Sequence, residues 1–329
     1  MKKVLVLFIS IFLLTSCSDG NEKLVLMDSI GKVNKILVVL ESNNWQGKIG
    51  DTLRDFMGKA IDGLPQPETI LSVSQVDPKG YNSIMKRTKS ILIIQKSSKE
   101  GLIIKTNQFA APQTIIYAYA KNEDGLIALL KKNSAKIINT FREADVNVMQ
   151  NIFAKKRLDD QKFETLKKLK LSLTIPKDFR TVYDTGEFLW LRQYLQSGIA
   201  RGDGRNNILV YSVPIPEDRS TIEKSILSVR DTIGKRYIAG SKKGMYMITE
   251  AAYTPVTVAS SIAKNKAFET RGKWEVKNDF MAGPFLNYTI LDEKNDRILV
   301  FEGFTYAPSV NKREFVFELE AIAKSLVIQ

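Results

Sequence analysis

The chain of 329 residues contains no histidine and a single cysteine, Cys17. The missing histidine excludes Ser-His-Asp and Cys-His catalysis. It also excludes most zinc sites, which need imidazole or several thiolates. One cysteine cannot close a disulfide within the chain. Carboxylate, serine, lysine and tyrosine chemistry remain, together with hard oxygen ligands for a cation. A phosphate-binding loop is lacking as well: Gly47-Lys48 has neither the preceding glycine nor the following Ser or Thr.

Against these absences, the N-terminus carries the strongest signal. Met1-Lys2-Lys3 is followed by an apolar stretch, Val4–Leu14, and then Thr15-Ser16-Cys17. The stretch is too short for a membrane-spanning helix, which needs roughly 20 residues. It reads as a lipoprotein signal peptide over 1–16, with small residues before the cut and Cys17 as the lipidated new N-terminus. Loss of Lys2 and Lys3 lowers the formal charge from +13 to +11. Export makes nucleic acid an unsuitable partner for this basic surface. A solvated surface, an envelope protein or an anionic envelope component is expected instead. The expected location is the outer membrane, lipid-anchored, with either the periplasmic face or the cell surface open.

Residues 17–33 read as the lipidated cysteine and a polar tether. Residues 34–168 read as an N-terminal α/β unit ending in a long helix, and 169–329 as a C-terminal antiparallel α+β unit. The first unit opens with a strand at Lys35–Glu41, followed by a helix over 48–61 that Gly63-Leu64-Pro65 stops. Strands follow at 69–76, 90–95, 102–106 and 113–120. Over 123–170, Leu130, Phe141, Ile152 and Phe163 recur every eleven residues, as do Leu126, Ile137 and Val148. Such spacing keeps an apolar stripe on one face of a nearly straight helix. The spacing predicts one long helix with a single break near Ala154–Asp160. In the second half, strands are expected at 171–175, 180–183, 187–194, 207–213, 245–250, 267–276, 285–291 and 297–304. Helices are expected at 218–234 and 312–326, the latter with Phe315, Leu319, Ile322 and Leu326 on one face. The fold class is α+β: two packed sheet-and-helix units joined by a long helix.

Several segments carry a family resemblance. Trp45-Gln46-Gly47-Lys48-Ile49-Gly50, Gly63-Leu64-Pro65-Gln66-Pro67-Glu68 and Ala111-Pro112-Gln113 are three of them. Gly283-Pro284-Phe285-Leu286-Asn287-Tyr288, Asn295-Asp296-Arg297, Glu302-Gly303-Phe304, Tyr306-Ala307-Pro308 and Lys312-Arg313-Glu314 are the most specific. Together they resemble the Bacteroidetes envelope lipoprotein family of domain of unknown function 4837, over about residues 33–326. The resemblance implies an envelope lipoprotein of that phylum and transfers no activity or catalytic residue.

Local motifs add little chemistry. Ser83-Ile84-Met85-Lys86 and Ser261-Ile262-Ala263-Lys264 have the Ser-x-x-Lys spacing but lack its partner motifs. Asp292, Glu293, Asn295 and Asp296 offer oxygen ligands in what reads as a hairpin loop. Arg201-Gly202-Asp203 reads as turn chemistry. Trp190, Arg192 and Tyr194 alternate along one strand face and form a speculative ligand surface, although a core face with an arginine at its rim is the favoured reading, because strand alternation alone explains the spacing. No catalytic, cofactor-binding or metal-ligating residue is assigned. The expected role is a non-enzymatic binding or accessory subunit at the outer membrane. The alternatives are a carboxylate- or Ser/Lys-based hydrolase of envelope glycan or peptide, and a lipid or lipopolysaccharide carrier.

Overall fold

A computed structural model describes residues 26–195 and 204–329. Cys17 and the Arg201-Gly202-Asp203 triplet lie outside the described residues. No helix among the described residues is long and apolar enough to cross a membrane.

The first unit is a five-stranded sheet. It contains β1 (Lys35–Val39), β2 (Ser72–Val76), β3 (Ser90–Lys96), β4 (Gly101–Thr106) and β5 (Thr114–Ala120), in the order β2-β1-β3-β5-β4. All pairs are parallel except β4 with β5. Two helices, α1 (Ser42–Gln46) and α2 (Lys48–Met57), follow β1. Ile49, Leu53, Phe56 and Met57 of α2 pack on Ile36, Val38, Leu92 and Ile116. The helix stops at Met57, short of the expected 61, with Gly58 as its C-cap making the last helical bond, to the Arg54 carbonyl. The opposite sheet face, Val39, Ile91, Ile93 and Ile115, meets only Val76, Tyr81, Phe109 and Tyr117. Only a single 3-10 turn (Pro78–Gly80) and a four-residue helix, α3 (Ser83–Lys86), lie between β2 and β3.

The expected continuous helix is interrupted twice. The first segment, α4 (Glu123–Lys132), ends at Asn133, whose backbone N–H (3.0 Å) and side-chain amide (2.8 Å) both donate to the Leu129 carbonyl. The second, α5 (Ser134–Lys155), ends where the break was expected. Leu126, Leu130, Ile137 and Phe141 lie in the first core, Phe163 in the second, and Ile152 is 52% exposed.

The tether reading of 18–33 does not hold from Met27 onward. The Met27 carbonyl accepts from Ala111 N, Ser29 N donates to the Ala111 carbonyl, and Ile30 exchanges bonds with Arg87 and Lys89. These residues are laced onto the first unit.

The second unit contains α6 (Glu164–Leu169) and a two-stranded ribbon of β6 (Leu171–Ser172), whose partner is the last strand of the chain. Its antiparallel sheet comprises β7 (Arg180–Asp184), β8 (Phe188–Tyr194), β9 (Arg205–Pro214), β10 (Met247–Thr249), β11 (Val256–Ile262), β12 (Asn265–Val276), β13 (Ala282–Asp292) and β14 (Arg297–Tyr306). The order is β10-β12-β13-β14-β9-β8-β7, with β11 beside β10 on the outer edge of β12. The unexpected element is β11. It forms a hairpin with β12 through Ala263 and Lys264, both at positive φ, so the second Ser-x-x-Lys tetrad spans a turn and not a helix. Strand alternation gives the sheet two apolar faces. Phe188, Tyr211, Val300 and Phe304 face α7 (Ile222–Tyr237). Leu191, Val210, Leu286 and Phe301 face α8 (Arg313–Ala323), after which β15 (Val327–Ile328) pairs with β6. The one-sided face expected for α8 is incomplete: Phe317, Glu320 and Ala321 are buried too, because α5 packs on its outer side.

The units are joined by buried polar contacts as well as by packing. Leu64 inserts into the second core, and Gly63 (φ +80°) runs so close to Gly272 that a Cβ would lie 2.8 Å from its backbone nitrogen. The Glu68 carboxylate accepts the Lys312 and Arg313 backbone N–H groups (2.6 and 3.1 Å) and so caps the start of α8 from the other unit. Glu320 on α8 is fully buried between Arg142 of α5, Arg271 of β12 (2.8 Å) and Lys324 (2.8 Å). Burial alone would raise its carboxyl, but the charges of Arg142, Arg271 and Lys324 outweigh burial and hold it well below the usual range. Removing one member of such a buried set strands the others. Glu320→Gln is expected to lower stability by about 3–5 kcal/mol in urea unfolding.

Asp145 behaves in the opposite sense. Burial raises it to about 6, against the Asn34 N–H bond (2.7 Å) and the charges of Lys89 and Arg142, which lower it, while Glu314 adds to the rise. A carboxyl raised in the folded state costs stability once it ionises. Stability is unaffected below pH about 4 and falls as pH rises toward 6, by up to about 3 kcal/mol. Asp145→Asn should therefore match the wild type near pH 4 and exceed it at pH 7. Calorimetric Tm values across that range check this.

Candidate functional site

The site of interest follows from the strand order of the first sheet. From β1 the chain moves outward to β2, then returns across β1 to β3. Beyond the carboxyl ends of β1 and β3 the connections therefore leave in opposite directions, and a crevice opens where open α/β sheets bind ligands. Here it has a volume of about 560 Å³. Its walls are Val39–Glu41 and Ile93–Lys96, with Asn44 of α1 at the rim and Tyr81, Phe109 and Tyr117 on the thinly covered sheet face.

Local hydrogen bonds hold the aromatic side chains in place. Asn82 caps α3 by accepting from Ile84 N and Met85 N (3.1 and 3.0 Å), which sets Tyr81 just before the helix. Asp77 accepts from Lys79 N and Ser42 N (both 3.1 Å), joining this turn to the start of α1. Those backbone N–H groups hold the Asp77 carboxyl below its ordinary value. The loop carrying Phe109 is pinned by buried Gln113. Its oxygen accepts from Phe109 N (2.9 Å), and its amide nitrogen donates to the carbonyls of Lys86 (2.6 Å) and Thr88 (2.8 Å). Asn107, at positive φ, completes the loop by accepting from Gln113 N.

Lys86 Nζ lies 6.0 Å from the Tyr81 ring centre and 5.6 Å from that of Phe109, within cation–π range. The Tyr117 hydroxyl donates to Gln108 (3.1 Å). The Tyr81 hydroxyl is buried with no hydrogen-bond partner, and burial, aided by Tyr117, pushes it up to about 12. It is therefore a neutral hydroxyl at any physiological pH. The crevice offers stacking faces, one unused hydroxyl and an amide-bearing rim. It can bind and orient a ligand, and it presents no paired acid and base.

A second cleft of about 280 Å³ lies between the units, lined by Arg142, Glu269, Arg271, Glu320 and Lys324. Its two glutamates converge on Arg271 (2.6 and 2.8 Å), and Glu269 also accepts from the Tyr288 hydroxyl (2.9 Å). Arg271 thereby ties β12 to α8 through both carboxylates, an arrangement that clamps the units together.

The structure disperses the local motifs. Trp190 is only 6% exposed and sits in the core under α7, its indole N–H donating to Asn207 (3.0 Å). Arg192 stacks on that indole at 4.8 Å and donates to the same Asn207 oxygen, and only Tyr194, 53% exposed and beside Arg205, faces outward. The expected ligand surface is thus a core residue with its arginine cover. Ser83 forms no hydrogen bond with Lys86 among the described residues, and Lys86 belongs to the crevice. Asp292 is occupied by Asn295 and Arg297 within the hairpin turn. Tyr81, Phe109 and Gln113 carried no periodic signal, since all three lie outside the apolar repeats of helix and strand.

Among solved structures, LpqN of Mycobacterium tuberculosis, described as involved in cell envelope biogenesis, is similar at 12% identity and a TM-score of 0.30. That match covers 48% of this chain and 83% of LpqN. The Saccharomyces cerevisiae Ran-binding protein Mog1p is similar at 8% identity and a TM-score of 0.32, over 48% of this chain and 90% of Mog1p. No curated protein matches the chain. The family resemblance expected over 33–326 divides in two. A domain of unknown function (DUF8532) matches residues 29–154, and a domain of unknown function (DUF4837) matches residues 157–325. The second match spans just over half of the sequence, and the chain belongs to the DUF4837 family.

Proposed function

We propose that the protein is a lipid-anchored component of the cell envelope, held at the outer membrane through Cys17, with a non-enzymatic binding or accessory role. The ligand or partner group seats in the crevice at the β1–β3 crossover. The observation that carries this reading is the buried, unpartnered Tyr81 hydroxyl in an aromatic crevice at the crossover. A buried polar group without a partner is costly, and a ligand that supplies the partner recovers that cost. The lipobox-like sequence before Cys17 and the resemblance to Bacteroidetes envelope lipoproteins support the location. The partner is an envelope protein or anionic envelope component, and the membrane is engaged through the lipid on Cys17.

Two outcomes are expected. Cys17→Ala moves the protein from the membrane to the soluble fraction, whereas tight attachment of the variant refutes lipidation there. Native mass spectrometry of the protein extracted from its own envelope shows a noncovalent adduct. Occupancy drops at least tenfold in Phe109→Ala and several-fold in Tyr81→Phe, which removes only the hydroxyl. Equal occupancy in all three proteins refutes the crevice as the binding site.

A further inference from the structure

A different cavity, independent of the crevice, lies in the second unit between α7 and the sheet. Its volume is about 230 Å³. For scale, an apolar protein cavity of about 150 Å³ is large enough to bind benzene. Well-packed interiors do not retain such voids without cost.

The cavity exists because the helix stands off the sheet there. Pro214-Ile215-Pro216 carries the chain away from the end of β9, and Ser225 places a small side chain on the inner side of α7, its hydroxyl donating to the Ile222 carbonyl (2.8 Å). Strand register gives the floor a polarity gradient. The row Val213–Ile298–Leu291 lies near the proline end, followed by Tyr211–Val300–Thr289 and then Leu209–Glu302–Asn287. Of these, Val213 and Ile298, then Tyr211, Val300 and Thr289, then Asn287 line the cavity, so its floor passes from apolar to polar. At the polar end the charges are already paired. Arg230 Nη2 lies 3.1 Å from Glu302 Oε1, and Asn287 donates to the other Glu302 oxygen (3.1 Å). Thr289 donates to the Asn287 carbonyl oxygen (2.9 Å), leaving its own oxygen free to accept. Burial, then the charge of Glu302, pushes the Tyr211 hydroxyl above its ordinary value, so it stays protonated.

We infer that this cavity is a binding site for a small neutral amphiphile of about ten non-hydrogen atoms, scaled from the benzene-sized case. Its hydrocarbon body packs on Val213, Ile226, Val229, Ile298 and Val300, and its single hydroxyl or carbonyl group meets Thr289 and Tyr211. A charged ligand is disfavoured because no charged side chain among the described residues lines the cavity to compensate it.

The test uses the full chain carrying Cys17→Ala, so that no detergent competes, and three probes of one shape: 4-propylphenol, propylbenzene and 4-propylbenzoate. Ligand-observed NMR titrations give the affinities. 4-Propylphenol is expected to bind saturably and at least tenfold more tightly than either of the others. Val229→Phe, which fills the cavity, weakens it at least tenfold. Thr289→Val removes the preference for the phenol over propylbenzene while changing propylbenzene affinity less than twofold, so the inference is decided even if the filled variant fails to fold. Absence of saturable binding, equal affinity for the three probes, or undiminished binding in folded Val229→Phe overturns the inference. Loss of binding in Phe109→Ala, the crevice variant, overturns it as well.

Discussion

A carboxylate removed from water must find positive charge inside the protein, and Glu320 finds it on both sides of the interface. Arg142 reaches it from α5 of the first unit, Arg271 from β12 of the second, and Lys324 from its own helix. Loss of Glu320 would leave the largely buried guanidiniums of Arg142 and Arg271 without that compensation. The two units are therefore held in one register. Glu68 acts in the same direction. By taking the first free N–H groups of α8, it ties the start of that helix to the unit that does not contain it. The fold is thus two sheets sharing one helix pair, α5 and α8, with charge compensation where hydrophobic packing alone would allow sliding.

Cavities occur where the helical cover of a sheet is thin. In the first unit, α2, α4 and α5 cover one face, while a four-residue helix and one loop cover the other. Tyr81 and Phe109 partly close that face, and the crevice is the space they leave. In the second unit α8 packs closely because Gly303 of β14 leaves room for Leu319. Across the sheet α7 stands off the proline end of β9, and the floor below it becomes polar along three strand rows. The two spaces differ in character. The crevice is open and aromatic, with an unused hydroxyl at its wall. The space under α7 is smaller and mostly apolar, with its charges already paired.

Gln113 illustrates how remote groups position a site. It stands just before β5 and does not itself line the crevice. Yet its three hydrogen bonds fix the Phe109 loop against the segment that follows α3. In the sequence it is one polar residue after a proline. Its role depends on two carbonyls 25 and 27 positions away.

The sequence by itself determined most elements, because helix and strand periodicity depend on residues a few positions apart. The β-strand runs at 90–96 and 282–306, the end of α5 and the terminal helix were all legible in this way. The break at Asn133 was not, since an amide folding back on one carbonyl leaves no periodic trace. Nor was β11, whose polar Ser-rich strand becomes one only by pairing along β12. Trp190 and Arg192 showed the right spacing but not which side was core, as alternation is identical for a buried and an exposed face. The strand order that opens the crevice, the charges gathered around Glu320 and the void under α7 were decided only by the tertiary structure. Each depends on groups brought together from dozens to well over a hundred residues apart, such as Arg271 and Arg142 at 49 and 178 positions from Glu320, or on the distance between packed layers, and nearest-neighbour patterns encode neither.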